Sequence, residues 1–218
     1  MQALHAMKTL YGLYEELAEY TGRDLTLVEA RCQNANVEQA WRWEELYKDD
    51  PLKGYREDDL YIFDLTHYQM RLREGGIHSW FGRMVRENGW KKGLDFGGGI
   101  GENTIIAMEA GADMTFVDVR DGKTLEYAEW RFKKHGVNPK IHYEDFVIDE
   151  DFDFIVAMDV FEHLENPEPV IKAVVEHTEW LFCNPDQVKF NWLYPQHISQ
   201  FDIEPYFKHI ELYLWKRK

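Results

Sequence analysis

Apolar residues recur at three- and four-residue spacing along the first part of the chain. Leu4, Met7, Leu10, Tyr14 and Leu17 form one stripe, which predicts a helix that Gly22 stops. Thr26-Leu27-Val28-Glu29 has the form of a capping box and predicts the start of a second helix. Asn36 to Gln39 predicts a third, carrying Val37, Ala40, Trp41 and Tyr47, with Trp41 on the core side. Pro51 and Gly54 break the pattern. A fourth helix is expected from about Asp58 to Arg73, ending at Gly75-Gly76, and a fifth from about Ser79 to Glu87, ending at Asn88-Gly89.

From Gly93 the pattern changes to short apolar runs alternating with amphipathic ones. The runs Gly93–Phe96, Met114–Val117, Lys140–Tyr143, Phe154–Met158, Trp180–Cys183 and Ile210–Trp215 predict strands. Glu102–Ala110, Thr124–His135 and Pro167–His177 predict helices between them. Strands alternating with helices imply parallel pairing through right-handed crossovers, hence an α/β fold with a doubly wound sheet. Phe154–Met158 lacks clean polar alternation, as expected of a strand covered on both faces. The expected division is a helical N-terminal cap over 1–89 and a sheet-bearing core over 90–218.

Composition narrows the function. With 218 residues, 44% hydrophobic and 15% aromatic, the chain has the material for a proper core. A formal net charge of −15 opposes docking on phosphate backbones. Lys91-Lys92, Lys133-Lys134 and Lys216-Arg217-Lys218 read as solvated surface. Cys32 and Cys183 form no disulfide framework, and no histidine stands at metal-site spacing, so no metal is expected. No apolar run reaches a membrane span, and Met1 to Tyr20 carries acids where a signal peptide is apolar. The expectation is a soluble cytoplasmic protein, with homodimerisation left open.

The richest stretch is Gly93-Leu94-Asp95-Phe96-Gly97-Gly98-Gly99-Ile100-Gly101, followed by Val117-Asp118. It reads as a strand, a glycine turn, a helix, a second strand and a carboxylate. Such a turn lets a ligand approach the backbone closely and leads into a helix whose free amides favour negative charge. Its spacing is Gly-x-Gly-x-Gly rather than the dinucleotide fingerprint Gly-x-Gly-x-x-Gly. Asp95 inside the motif suits a cationic ligand better than a pyrophosphate. Asp118, at the tip of the second strand, suits the two hydroxyls of a ribose.

Leu94-Asp95-Phe96-Gly97-Gly98-Gly99-Ile100-Gly101 resembles the first motif of class I, Rossmann-like S-adenosylmethionine-dependent methyltransferases of the small-molecule type. Glu144-Asp145-Phe146 is similar to their adenine-contacting motif, and Phe152 to Leu164, ending Glu162-His163-Leu164, to their fourth-strand segment. The resemblance implies S-adenosylmethionine as cofactor and S-adenosylhomocysteine as product. It implies that Gly97, Gly98, Gly99 and Gly101 pass under the donor and that Asp95 helps to hold its ammonium group. Asp118 and Val119 would meet the ribose. Asp145 and Phe146 would meet the adenine, and Asp159 and Val160 the methionine portion. After Cys183 little chain remains for the family's last two strands, and only Ile210–Trp215 reads as one, so an abbreviated C-terminal sheet edge is expected. No Asn-Pro-Pro-Tyr follows the fourth strand, which argues against methylation of nucleic-acid bases.

Methyl transfer is an in-line displacement in which alignment is the protein's main task. A base is needed where the acceptor must lose a proton, and His163 is the candidate. The expected partner is a small-molecule acceptor. Candidates for its pocket are Tyr61, His67, Tyr68, His78 and Trp80 of the cap, with Tyr55 nearby. Trp192, Tyr194 and His197 are candidates from the loop after the fifth strand. Two alternatives use the same motifs: aminopropyl transfer from decarboxylated S-adenosylmethionine, and a non-catalytic module that binds the cofactor.

Overall fold

The structure, a computed structural model, describes residues 12–184 and 195–218. Leu4, Met7, Leu10, Trp192 and Tyr194 lie outside these described residues. The described chain is helical as far as Asn88: α1 Leu13–Thr21, α2 Leu25–Arg42, α3 Pro51–Glu57, α4 Leu60–Glu74 and α5 Ile77–Asn88. Strands then alternate with helices through β1 Lys92–Phe96, α6 Glu102–Glu109, β2 Asp113–Val117, α7 Lys123–His135 and β3 Lys140–His142. There follow β4 Phe154–Val156, a 3-10 turn Phe161–His163, α8 Glu168–His177 and β5 Trp180–Phe182. The described chain ends with β6 Phe207–Glu211 and β7 Leu214–Arg217. Among the described residues no helix is long and apolar enough to cross a membrane.

The helical part departs from its sequence pattern at four places. Asp24, not Thr26, caps α2, its carboxylate accepting from the Thr26 amide at 2.9 Å. No new helix starts at Asn36; α2 runs through it to Arg42 and passes into a π-helical turn over Trp43–Tyr47. The stripe that α2 buries is Val28, Cys32, Ala35 and Gln39, and the next position at that spacing is Trp43. Trp43 is therefore core, at 3% exposure, while Trp41 points outward at 62%. Pro51 does not break structure but opens α3 at its first turn, where its missing amide proton is no loss, and Asp50 accepts from the Lys53 amide at 3.2 Å. Gly54 lies inside that helix because a Cβ there would sit 3.0 Å from Tyr47 Cβ.

The strands form one seven-stranded sheet in the order β3-β2-β1-β4-β5-β7-β6. The first five pair in parallel; β7 runs antiparallel to β5, and β6 to β7. The C-terminal edge is thus not abbreviated. The expected single strand Ile210–Trp215 is a hairpin whose turn holds Leu212 at φ 46° and pairs Glu211 with Leu214. Its turn has no glycine, asparagine or aspartate, the residues that normally signal one.

Each strand of the sheet centre buries both faces. Phe154 and Val156 meet Trp80, Phe81 and Val85 of α5, while Ile155 and Ala157 lie in a cluster with Ile171 and Val174 of α8. Phe116 packs with Leu125, Ala128 and Phe132 of α7. A further cluster joins Leu13, Leu17, Val28, Cys32 and Phe63 of the first helices to Ile100 and Tyr127. Two of these clusters cross the expected boundary between 89 and 90.

A polar seam runs beside that last cluster. Arg131 is fully buried and donates to Glu16 at 2.8 Å, to Glu102 at 2.5 Å and to the Ile100 carbonyl at 2.8 Å. Glu102 also accepts from Arg73 at 2.6 Å, and Glu16 is bonded to His135 at 2.7 Å. His78 belongs to the same seam: Nε2 is 2.8 Å from Gln69 Oε1, and Nδ1 is 3.3 Å from Glu102.

Candidate active site

Register brings the site together. Phe96 lies opposite Val117, so Gly97 and Asp118 leave the sheet side by side. The amides of Gly97 and Gly98 both donate to the Val117 carbonyl, at 2.9 and 3.0 Å. Gly97 has φ 70°, and a Cβ there would come 2.6 Å from Val160, so a bare backbone is required. Gly101, at φ 75°, serves packing instead: a Cβ would strike the Phe132 ring at 2.5 Å.

A cavity of about 1300 Å3 lies over the tips of β1, β2 and β4 and beneath α3 and α4. Six aspartates line it: Asp49 and Asp50 at the exposed rim, and Asp64, Asp95, Asp118 and Asp159 further in. Asp118 spans the glycine turn, accepting from the Gly99 amide at 2.6 Å and the Val119 amide at 2.7 Å. Burial raises its pKa to about 6 against these bonds. Asp95 accepts from the Thr104 hydroxyl at 2.7 Å and amide at 3.1 Å. Burial and then the Asp118 charge, opposed by the Thr104 bonds, raise it to about 7. Asp159 sits at φ 52° and accepts from the Asn184 and Tyr68 side chains, while burial pushes its pKa up. Burial and the Asp159 charge raise Asp64 to about 6. Among the described residues the hydrogen-bond donors to Asp95, Asp118 and Asp159 are all neutral.

The other wall is aromatic. Tyr55 and Tyr61 have ring centroids 5.1 Å apart, and the Tyr55 hydroxyl is 2.8 Å from His163 Nδ1. The His163 ring stands edge-on to His197 with centroids 4.8 Å apart. Burial and His197 press the His163 pKa down to about 3 although a Gln196 backbone contact opposes them, so the ring is neutral at pH 7 and a weak base. Beside it Glu162 is buried, and burial followed by Asp159 raises its carboxyl to about 7. His67 lines the same cavity with Nδ1 2.8 Å from the Tyr14 hydroxyl.

A protein-family model described as a methyltransferase domain matches residues 56–203. The chain belongs to this methyltransferase-domain family. Its seven-strand order and glycine turn are those of the class I, S-adenosylmethionine-dependent branch. Glycine/sarcosine N-methyltransferase of Aphanothece halophytica is 25% identical over 150 residues, covering 59% of this chain and 57% of that protein. The chain therefore spans a little over half the length of this curated relative. The structure of an O-methyltransferase family protein from Burkholderia thailandensis aligns with a TM-score of 0.51 at 10% identity, over 84% of this chain and 71% of the other. A S-adenosylmethionine-dependent methyltransferase from Clostridium acetobutylicum ATCC 824 aligns with a TM-score of 0.43 at 21% identity, over 49% and 48% of the two chains.

Within this methyltransferase fold, Asp95, Gly97, Gly98, Gly99, Asp118, Val119, Asp159 and Val160 all line the cavity. Tyr61, His67, Tyr68, His163 and His197 line it too. Five expected residues do not. Gly101 faces Phe132, and His78 is tied into the buried seam. Trp80 packs edge-on against Phe182 with centroids 5.7 Å apart. Asp145 is exposed near Arg120, and Phe146 lies against His142 at 4.6 Å. Glu144, one residue earlier, lines the cavity instead and accepts from Arg56 of α3 at 2.7 Å and from the Arg120 amide at 2.8 Å. Sequence reasoning also missed Asp64. Its signal was there: Tyr61, Asp64 and Tyr68 recur at helical spacing and share one face of α4.

Proposed function

We propose that this protein transfers the methyl group of S-adenosylmethionine to a small-molecule acceptor held between the strand tips and helices α3 and α4. The observation that carries this reading is the meeting of a bare glycine turn and Asp118 in a cavity where, among the described residues, Asp95, Asp118 and Asp159 have only neutral donors. The residues present fit such a donor: a Cβ at Gly97 would fill its cradle, and the carboxylates favour positive charge. When bound, S-adenosylmethionine supplies a methyl carbon on a positively charged sulfur; the acceptor's lone pair bonds that carbon while the carbon–sulfur pair returns to sulfur.

In this reading Gly97 to Gly99 let the donor approach the backbone. Asp118, held in place by the Gly99 and Val119 amides, accepts from the ribose hydroxyls. Asp95 and Asp159 hold negative charge near the cationic portion, and Glu144 closes the far end with Arg56. Tyr55, Tyr61 and Tyr68 flank the acceptor and keep water out. Membership of the methyltransferase family favours methyl over aminopropyl transfer and over a purely binding role. The name of the curated relative makes glycine and sarcosine the first acceptors to try.

The test is differential scanning fluorimetry followed by a methyl-release assay. S-adenosylmethionine and S-adenosylhomocysteine are expected to raise the melting temperature, and NAD to leave it unchanged. Stabilisation by NAD alone, or by neither adenosyl ligand, overturns the assignment.

A further inference from the structure

On the acceptor side His163 and His197 line the cavity, and Glu162 lies buried beside them, a set of nitrogen and oxygen atoms that alignment alone does not require. Glu162, His163 and His197 each offer one ligand atom, and these atoms lie within 4.8 Å of one another. Glu162 and His197 are buried, at 3% and 7% exposure. They come from separate segments, the 3-10 turn after β4 and the chain after β5. The two segments are bound together: the Glu162 carbonyl accepts from the amides of Ile198 at 2.9 Å and Ser199 at 3.1 Å, and the Ser199 hydroxyl donates to Phe161 O at 2.9 Å. The backbones of the two segments are therefore held in register at this point.

A second observation points the same way. Gln196 is 4% exposed, belongs to the wall of the same cavity, and its Oε1 is buried with no hydrogen-bond partner among the described residues. A buried amide oxygen left unpaired is unfavourable unless something positive meets it. Tyr55 adds a third feature. Its hydroxyl on His163 Nδ1 orients the ring from behind, the kind of support that metal-ligating imidazoles commonly have.

We propose that Glu162, His163 and His197 hold a divalent transition-metal cation on the acceptor side of the cavity, with Gln196 Oε1 available as a further oxygen. Two imidazoles and one carboxylate suit zinc, iron, cobalt or manganese better than magnesium or calcium, and leave coordination positions open. His163 then acts as a ligand rather than as a base, through the nitrogen that Tyr55 does not hold. An acceptor with a hydroxyl or carboxylate oxygen fills an open position and is aligned by it. That use of the ion rests on the methyl-transfer reading; binding of the ion does not.

The experiment uses the full chain after treatment with a chelator. Titration with Co2+ is followed by visible absorption, and titration with Zn2+ by calorimetry, both without any adenosyl ligand. One equivalent per chain is expected, with ligand-field bands for Co2+. Glu162→Gln, His163→Gln and His197→Gln are each expected to weaken Zn2+ at least about tenfold and alter the cobalt bands. S-adenosylhomocysteine affinity and circular dichroism report whether each variant is folded. Should a variant fail to fold, Tyr55→Phe leaves every ligand in place and is expected to weaken Zn2+ about tenfold. Absence of cobalt bands in the parent protein overturns the site, as do bands that persist unchanged in the folded variants. Bands without S-adenosylhomocysteine binding instead overturn the methyl-transfer reading and leave the metal site standing.

Discussion

Two groups of buried and half-buried carboxylates, those of the seam and those of the cavity, behave in opposite ways. In the seam, burial alone would raise Glu102, but Arg131, Arg73 and His78 outweigh it and hold the carboxyl well below its usual range. Glu16 is likewise held down by His135 and Arg131 against its burial. In the cavity, burial prevails and Asp64, Asp95, Asp118 and Asp159 are all pushed up. The difference is the presence of a cation. A carboxylate closed against arginine is finished and serves the fold; one buried beside neutral donors has unused capacity for positive charge.

The sharpest way to break this contrast is to remove the cation from the seam. Arg131→Met leaves Glu16 and Glu102 buried without their main partner and is expected to destabilise the protein by about 3–5 kcal/mol. Thermal or urea unfolding measures it, and a change within experimental scatter would mean that the seam contributes nothing net. On the cavity side, Asp118→Ala should weaken S-adenosylmethionine binding by about 1.5–3 kcal/mol, the scale of charged hydrogen bonds. Its folding stability should hardly fall, because the group removed is one that burial disfavours. Calorimetry showing unchanged affinity would take Asp118 out of the site.

Protons provide the next test. A cationic donor favours ionised Asp95 and Asp118, whose pKa values stand at about 7 and about 6. Donor affinity is therefore expected to drop as the pH falls below 7, by about tenfold per unit for each proton taken up. The ligand-free protein has the opposite slope. Asp95 is raised above its ordinary 3.8, so its contribution to stability is full below that value and is lost as pH rises through about 7. Parallel slopes for binding and stability would contradict the reading.

The smallest effect is expected at His135. Its bonds to Glu109 and Glu16 raise it to about 9 from an ordinary 6.5. Its stabilisation is full below pH 6.5 and lost as the pH rises through 9. The ring is partly open to solvent, so His135→Gln should cost about 1 kcal/mol at pH 6. Loss of the same size at pH 10 would show that charge is not the cause.

The strands and the glycine turn were readable because their determinants are local. A run such as Leu94-Asp95-Phe96 followed by glycines has one plausible conformation, and carboxylates after strands fall at sheet tips by topology. The helical part resisted because its signals are ambiguous. Pro51 either ends a helix or begins one, and its neighbour Asp50 decides. Trp41 and Trp43 are equally apolar, and the register running from Val28 to Gln39 chooses between them. The hairpin at Leu212 carries no turn residue at all. In the site, Asp118 and Asp159 follow from strand position. Asp64 shares a helical face with Tyr61 and Tyr68 and was legible by spacing, whereas Glu162 needed the third dimension, since nothing in its neighbours marks it as facing a second histidine.

The placement of α5 has a practical consequence. By sequence it is the last helix of the cap, yet Trp80, Phe81 and Val85 cover Phe154 and Phe182 of the sheet. Severing the chain at residue 90 would strip an aromatic layer from the sheet centre and leave a sticky face prone to aggregation. A cut ahead of α5, at Gly75-Gly76, keeps that layer but takes Glu16 and Arg73 from the buried seam and Leu13, Leu17 and Phe63 from Ile100 and Tyr127, so the sheet half needs the first helices as well.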